Sequence, residues 1–226
     1  MIQKNLMNIE KTINSSHENI TGLVVLKHGE MVFEKYFNGY EKSNTIHIFS
    51  VTKSVFSALI GIAIEQGYIK SVDQKLIDFF PDYYIDDFNL DVQNITLKNL
   101  LTMTVPCKYE QEPFELFFRS DNWIKFALDC IGENNKILDF QYSPIVISHI
   151  LSGVLANATG QQILDFANKY LFSPLEIHVE ENIFLESEEE HFAFPKNKNI
   201  SGWVIDQQGF NTASWGLTLT PMDMAK

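Results

Sequence analysis

The chain has 226 residues, 45% of them apolar and 20% charged, with few glycines (11) and prolines (7). That composition excludes disordered, collagen-like and low-complexity classes, and the length is enough to bury a core without staples. Seventeen basic against 29 acidic residues give a net charge of −12, and Arg119 is the one arginine. Such an acidic chain repels phosphate backbones, so nucleic acid is not expected as a partner.

In chain order, residues 3–18 read as a polar amphipathic helix with Leu6, Ile9 and Ile13 on one face. Gly22–Lys27 and Met31–Phe37 are strand-like runs joined by His28-Gly29-Glu30, which predicts a hairpin. Ser50–Gln66 reads as a long helix closed by Gly67. A mainly helical middle follows. Residues 73–80 stop at Pro81, 96–103 start from Thr96 as N-cap, and 121–131 lie between Ser120 and Gly132. Residues 143–158 end at Thr159-Gly160, and 161–172 stop before Pro174. Residues 176–200, with the run Glu186-Ser187-Glu188-Glu189-Glu190, read as a solvated irregular loop, and 212–219 as a short extended segment. Strands in front and helices in the middle, without internal repeats, predict an α+β fold rather than a doubly wound sheet.

Cys107 and Cys130 lack C-x-x-C spacing and read as reduced, buried thiols. No apolar run reaches the ~18 residues of a membrane-spanning helix. The N-terminal stretch carries Lys4, Glu10, Lys11 and Glu18 without an apolar core, so no export leader is read and the cytoplasm is the expected compartment.

The helix from Ser50 carries most chemistry. Lys53 is the one charged residue between Ser50 and Ile64, and Val51, Val55, Phe56, Leu59, Ile60 and Ile62 fall on nearly every side. Such a helix is expected to be buried all round. A lysine in its first turn must then be paired or give up its proton. Ser50 lies three residues earlier on the same face, at a helix N-terminus whose free N–H groups favour negative charge. The segment thus supplies a nucleophile, a nearby amine of lowered pKa and half an oxyanion hole; the alternative is a capping serine followed by a snorkelling lysine. A second signal is Tyr142-Ser143-Pro144, with Ser143 expected at N-cap and Pro144 at N1. Tyr142 then sits in the loop before an apolar helix, where its phenol can face a cleft or pack as a structural side chain.

Phe49-Ser50-Val51-Thr52-Lys53-Ser54 resembles the nucleophile motif of the serine β-lactamase and penicillin-binding-protein superfamily. The likeness continues through Ile95–Thr104, Phe140-Gln141-Tyr142-Ser143, Phe166–Leu175 and Leu217–Lys226. These stretches are most similar to the branch holding class C β-lactamases, D-aminopeptidase and carboxypeptidase relatives, esterases and 6-aminohexanoate-dimer hydrolase. The resemblance implies a β-lactamase/transpeptidase-like fold in one domain, 1–226, with an antiparallel sheet lobe (1–67 and 201–226) and a helical lobe (68–200). It implies Ser50 as the acylated nucleophile, Lys53 as the amine that takes or relays its proton, and Tyr142 as the catalytic tyrosine. The Lys53 charge would favour a phenolate able to deprotonate Ser50, and the Ser50 N–H would donate to the oxyanion.

Two departures stand out. The family's second motif is often Tyr-x-Asn, whereas position 144 is Pro and offers no side-chain amide to a substrate, which points away from β-lactam hydrolysis. No Lys-Thr/Ser-Gly or His-x-Gly motif lies between Gly160 and Lys226, so the family's third motif and C-terminal strands are expected beyond this chain. Thr220-Pro221-Met222-Asp223 reads as a helix start with a capping box, which also predicts continuation.

Other chemistries find less support. His17-Glu18 is followed by Thr21 where a zinc motif needs its second His, and there is no Gly-rich nucleotide loop or G-x-S-x-G elbow. His149 reads as a core or surface histidine, and Phe114, Phe117, Phe118 and Trp123 as a packing cluster near the expected cleft. The expectation is a serine hydrolase that forms an acyl-enzyme on Ser50 from a small ester or amide, with no metal or organic cofactor implied. The alternative is a catalytically impaired homologue that binds a peptide or β-lactam-like ligand without turnover.

Overall fold

The computed structural model describes residues 2–83, 92–132 and 139–226. Helix α1 covers Ile2–Ser16, strands β1 and β2 cover Gly22–Lys27 and Glu30–Tyr36, and β3 covers Ile46–His47. A single 3₁₀ turn, Phe49–Val51, leads into α2, Thr52–Glu65. Three short helices follow before the central one: α3 (Leu97–Leu101), α4 (Phe114–Arg119) and α5 (Trp123–Asp129) precede α6, Val146–Thr159. Helix α7 (Ile163–Ala167) runs on into a π-helical turn, Asn168–Phe172. Strand β4 (Glu181–Phe184), α8 (Glu188–Ala193), β5 (Gly202–Ile205) and β6 (Thr218–Leu219) complete the order.

The chain divides into two compact units. The first comprises Met1–His47, Ser187–Ser201 and Thr218–Lys226. Its β1–β2 hairpin is antiparallel, pairing Gly22 with Tyr36 and Lys27 with Glu30. His28 and Gly29 both have positive φ, 56° and 81°, the conformation whose twist matches that of paired strands. Helix α1 buries Ile13 and ties its Glu10 to Lys35 of β2 at 3.0 Å. Strand β3 pairs antiparallel with β6, and the Ile200 carbonyl accepts from both the Thr45 and Thr218 hydroxyls at 2.6 Å. Thr220 and Asp223 form the expected reciprocal cap: the Asp223 N–H donates to the Thr220 hydroxyl (3.1 Å) and the Thr220 N–H to the carboxylate (3.2 Å). The turn that follows, Asp223–Ala225, is 3₁₀.

The second unit comprises Ile48–Glu186 and Gly202–Leu217. Its axis is α6, in which every residue from Val146 to Ala156 is buried. It packs against α2, α3 and α5. A Cβ on Gly153 would lie 2.8 Å from the Phe80 ring, so the approach there requires glycine. Helix α2 buries Thr52, Phe56, Leu59, Ile60 and Ala63, and Phe56 meets the buried Trp203 edge-on at 5.9 Å. Each such fully buried side chain contributes roughly 1.5–3 kcal/mol of apolar transfer.

Several elements differ from the sequence reading. The apolar α2 is not covered all round: Ser54, Ser57, Ala58 and Gly61 are exposed, and the all-round burial belongs to α6. Residues 73–80 hold only a 3₁₀ turn, Leu76–Phe79, because the preceding backbone is extended and bridges Lys75 to Thr96. Residues 176–200 are not irregular: β4 pairs in parallel with β5, and Ser187 caps α8 by accepting from the Glu190 N–H. Helix α5 is capped by Asn122, which accepts from the Lys125 N–H at 2.8 Å, with Ser120 two residues outside. Thr96 caps α3 as expected, in a capping box with Asn99. Cys107 and Cys130 are both free and buried, as read.

Candidate active site

The site lies within the second unit and starts from the backbone before α2. Phe49 has φ +47°, a left-handed conformation uncommon for a side chain of its size and of the kind that stores about 1–3 kcal/mol at functional sites. The Thr52 hydroxyl holds it by donating to the Phe49 carbonyl at 2.7 Å. The sharp turn sets Ser50 in the 3₁₀ turn at the head of α2, with Lys53 one turn on. The Lys53 ammonium donates to Ser50 Oγ at 3.1 Å, to the Pro144 carbonyl at 2.7 Å and to the Ser214 carbonyl at 3.0 Å. Three N–H groups thus meet three acceptors. Burial pulls the Lys53 amine down from the ordinary lysine value to about 8, against the opposing charge of Glu112.

Tyr142 arrives from the other side of the serine. Its hydroxyl donates to Ser50 Oγ at 3.2 Å, and Lys53 Nζ lies 5.5 Å from the centre of its ring. Half of Tyr142 is exposed. The structure therefore brings Ser50, Lys53 and Tyr142 within hydrogen-bonding distance of one oxygen.

What holds that arrangement was only partly visible in the sequence. Ser143 is not the N-cap residue at the head of α6, which begins at Val146; its hydroxyl accepts from the Ile147 N–H at 3.0 Å while donating to Glu112. The Glu112 carboxylate takes the Ile145 and Val146 N–H groups at 2.8 and 3.1 Å. Pro144 lies before the helix rather than at its first position, and contributes its carbonyl. Ser214 is placed by the segment after β5. Val204 exchanges backbone bonds with Thr212 and Gly216, and the Trp203 indole donates to the Thr212 carbonyl at 2.9 Å.

The same segment is anchored to α6 by buried polar groups. His149 Nε2 sits 3.0 Å from Asp206 Oδ2, and the Ser152 hydroxyl donates to the Asn211 carbonyl at 2.8 Å. Asp206 Oδ1 accepts from the Gln208 and Phe210 N–H groups. His149 is thus a core histidine, packed against Phe117 and Trp123. Those two rings are buried, while Phe114 is exposed. Glu112, Asp206 and the Ser214 carbonyl escaped the sequence reading because nothing in local spacing connects them to Ser50. Among the described residues no helix is long and apolar enough to cross a membrane, and no three His, Cys, Asp or Glu side chains are grouped to hold a metal ion.

Comparison with known proteins bears on the fold and the family. The Beta-lactamase family model matches residues 10–226. A Bacillus anthracis protein provisionally described as a 6-aminohexanoate-dimer hydrolase superposes with a TM-score of 0.68 at 18% identity, over 96% of this chain and 54% of that one. FmtA from Staphylococcus aureus gives 0.68 at 16% identity, over 96% and 63%. The octameric penicillin-binding protein homologue from Pyrococcus abyssi gives 0.64 at 21%, over 99% and 55%. The chain therefore spans between about half and two thirds of these solved chains. No curated protein sequence matches it. The fold is β-lactamase/transpeptidase-like, and with nearly the whole sequence matching the family model, the chain belongs to the Beta-lactamase family.

Proposed function

We propose that this protein is a serine hydrolase that forms an acyl-enzyme on Ser50 from a small ester or amide. The supporting observation is the convergence of the Lys53 amine and the Tyr142 phenol on Ser50 Oγ, at 3.1 and 3.2 Å. The Pro144 and Ser214 carbonyls hold two N–H groups of Lys53, so its remaining tetrahedral position faces Ser50. In the ammonium form that position is an N–H. In the neutral amine it is a lone pair, which accepts the serine proton as Oγ attacks the substrate carbonyl. The new Oγ–C bond replaces the bond to the leaving group, and the proton passes through Lys53 and Tyr142 to the departing oxygen or nitrogen. Water then adds to the acyl-enzyme, releases the acid and restores the serine proton. The Ser50 N–H, ahead of a 14-residue helix, would donate to the oxyanion.

The test is covalent labelling by a fluorophosphonate together with burst kinetics on a p-nitrophenyl ester. Ser50→Ala should abolish the label, while Ser54→Ala and Ser57→Ala, both on the exposed face of α2, should retain it. Undiminished labelling of Ser50→Ala would overturn the assignment. Ester binding with neither burst nor label would point to the non-hydrolytic homologue instead.

A further inference from the structure

Glu112 lies in the loop before α4, far in sequence from both Ser50 and Tyr142. Yet its carboxylate reaches three groups at the head of α6: the Ser143 hydroxyl and the Ile145 and Val146 N–H groups. These flank Pro144, whose carbonyl receives Lys53, and directly follow Tyr142, whose phenol receives Ser50 as its acceptor. Two residues separate the phenol from the first clamped amide, so fixing 143 and 145 leaves the intervening carbonyl and the adjoining tyrosine little freedom. We propose that Glu112 is a positioning residue of this site, clamping the Tyr142-Ser143-Pro144 segment to α6 and supplying a negative countercharge to Lys53. This rests on the acyl-enzyme reading above.

The electrostatics support the geometry. Lys53 lies over the Tyr142 ring, donates to the Ser214 carbonyl of the neutral segment 211–217, and feels the negative charge of Glu112 from the loop before α4. Its neighbours on α2, Thr52 and Ser54, carry no charge. Burial favours the neutral amine, and Glu112 opposes it. Because Lys53 accepts a proton only when neutral, acylation should rise with pH through a midpoint near 8. Removing the Glu112 charge while keeping its shape moves that midpoint downward.

The experiment compares the full chain with Glu112→Gln and Glu112→Asp. The pH dependence of Ser50 acylation is read from the ester burst, and the Lys53 midpoint directly from its ¹³Cε NMR titration. Glu112→Gln should lower both midpoints by about half a unit or more, and cut the acylation rate roughly tenfold or more through loss of alignment. Glu112→Asp, which keeps the charge, should restore the midpoint toward the wild-type value. A midpoint unmoved in Glu112→Gln overturns the proposal whatever happens to the rate, because a carboxylate that merely stabilises α6 would slow turnover without shifting the titration. The NMR arm needs no turnover. It separates failure of this inference from failure of the hydrolase reading, which Ser50→Ala decides.

Discussion

At the scale of single residues, the site depends on how few groups share one oxygen. Ser50 Oγ has both Lys53 and Tyr142 as partners, so either can be removed while the other still binds it. Tyr142→Phe deletes only a hydroxyl from a half-exposed ring. We expect it to lower ester turnover roughly 10²–10⁴-fold, the usual span for an acid–base group, with an unchanged thermal unfolding midpoint. Turnover within a fewfold of wild type would assign the phenol to packing. Ser50 and Lys53 were legible in the sequence because three residues on a helix fix a shared face. Tyr142 could be singled out, but its distance from Ser50 could not be read across some ninety residues of chain. Glu112 was invisible: an acidic residue beside a proline has no local signature of the helix it caps more than thirty positions away.

At the scale of elements, two helices of similar composition receive different environments. Both α2 and α6 are apolar, but neighbours cover α6 on every side, whereas α2 leaves Ser54, Ser57, Ala58 and Gly61 in solvent. Hydrophobic periodicity reports how much apolar surface a helix carries, not which neighbour arrives to cover it. The parallel β4–β5 pair is likewise a tertiary feature, since its strands are separated by α8 and neither announces the other. Gly202 shows how tightly it closes: a Cβ there would lie 2.6 Å from the Ile183 side chain and 2.7 Å from the Glu181 carbonyl oxygen. Backbone cannot retreat as a flexible side chain can. Gly202→Ala should therefore destabilise the protein by about 1–3 kcal/mol in urea unfolding, the range for overpacking. A loss below ~0.5 kcal/mol would show that the strands separate without cost.

At the scale of the whole molecule, charge dominates. A net charge of −12 on 226 residues carries self-repulsion that dissolved ions screen. Raising the ionic strength from about 10 mM to about 150 mM, where the Debye length falls from roughly 30 to 8 Å, should raise the thermal midpoint. A midpoint that falls instead would mean that attractive pairs such as Glu10–Lys35 outweigh the repulsion.

The sequence by itself determined what depends on near neighbours along the chain. The hairpin follows from its His28-Gly29 turn, the Thr96 cap from its place just before a helical run, and the Ser50/Lys53 pair from one helical turn. The resemblance carried by those local motifs was enough to reach the family. Only the tertiary structure decided which groups meet at the serine. The Pro144 and Ser214 carbonyls, the Tyr142 phenol and the Glu112 carboxylate are brought there by α6 and by the segment after β5. Their placement depends on burial and on hydrogen bonds between distant segments. Those contacts form only when the chain folds back on itself, and no local pattern records them.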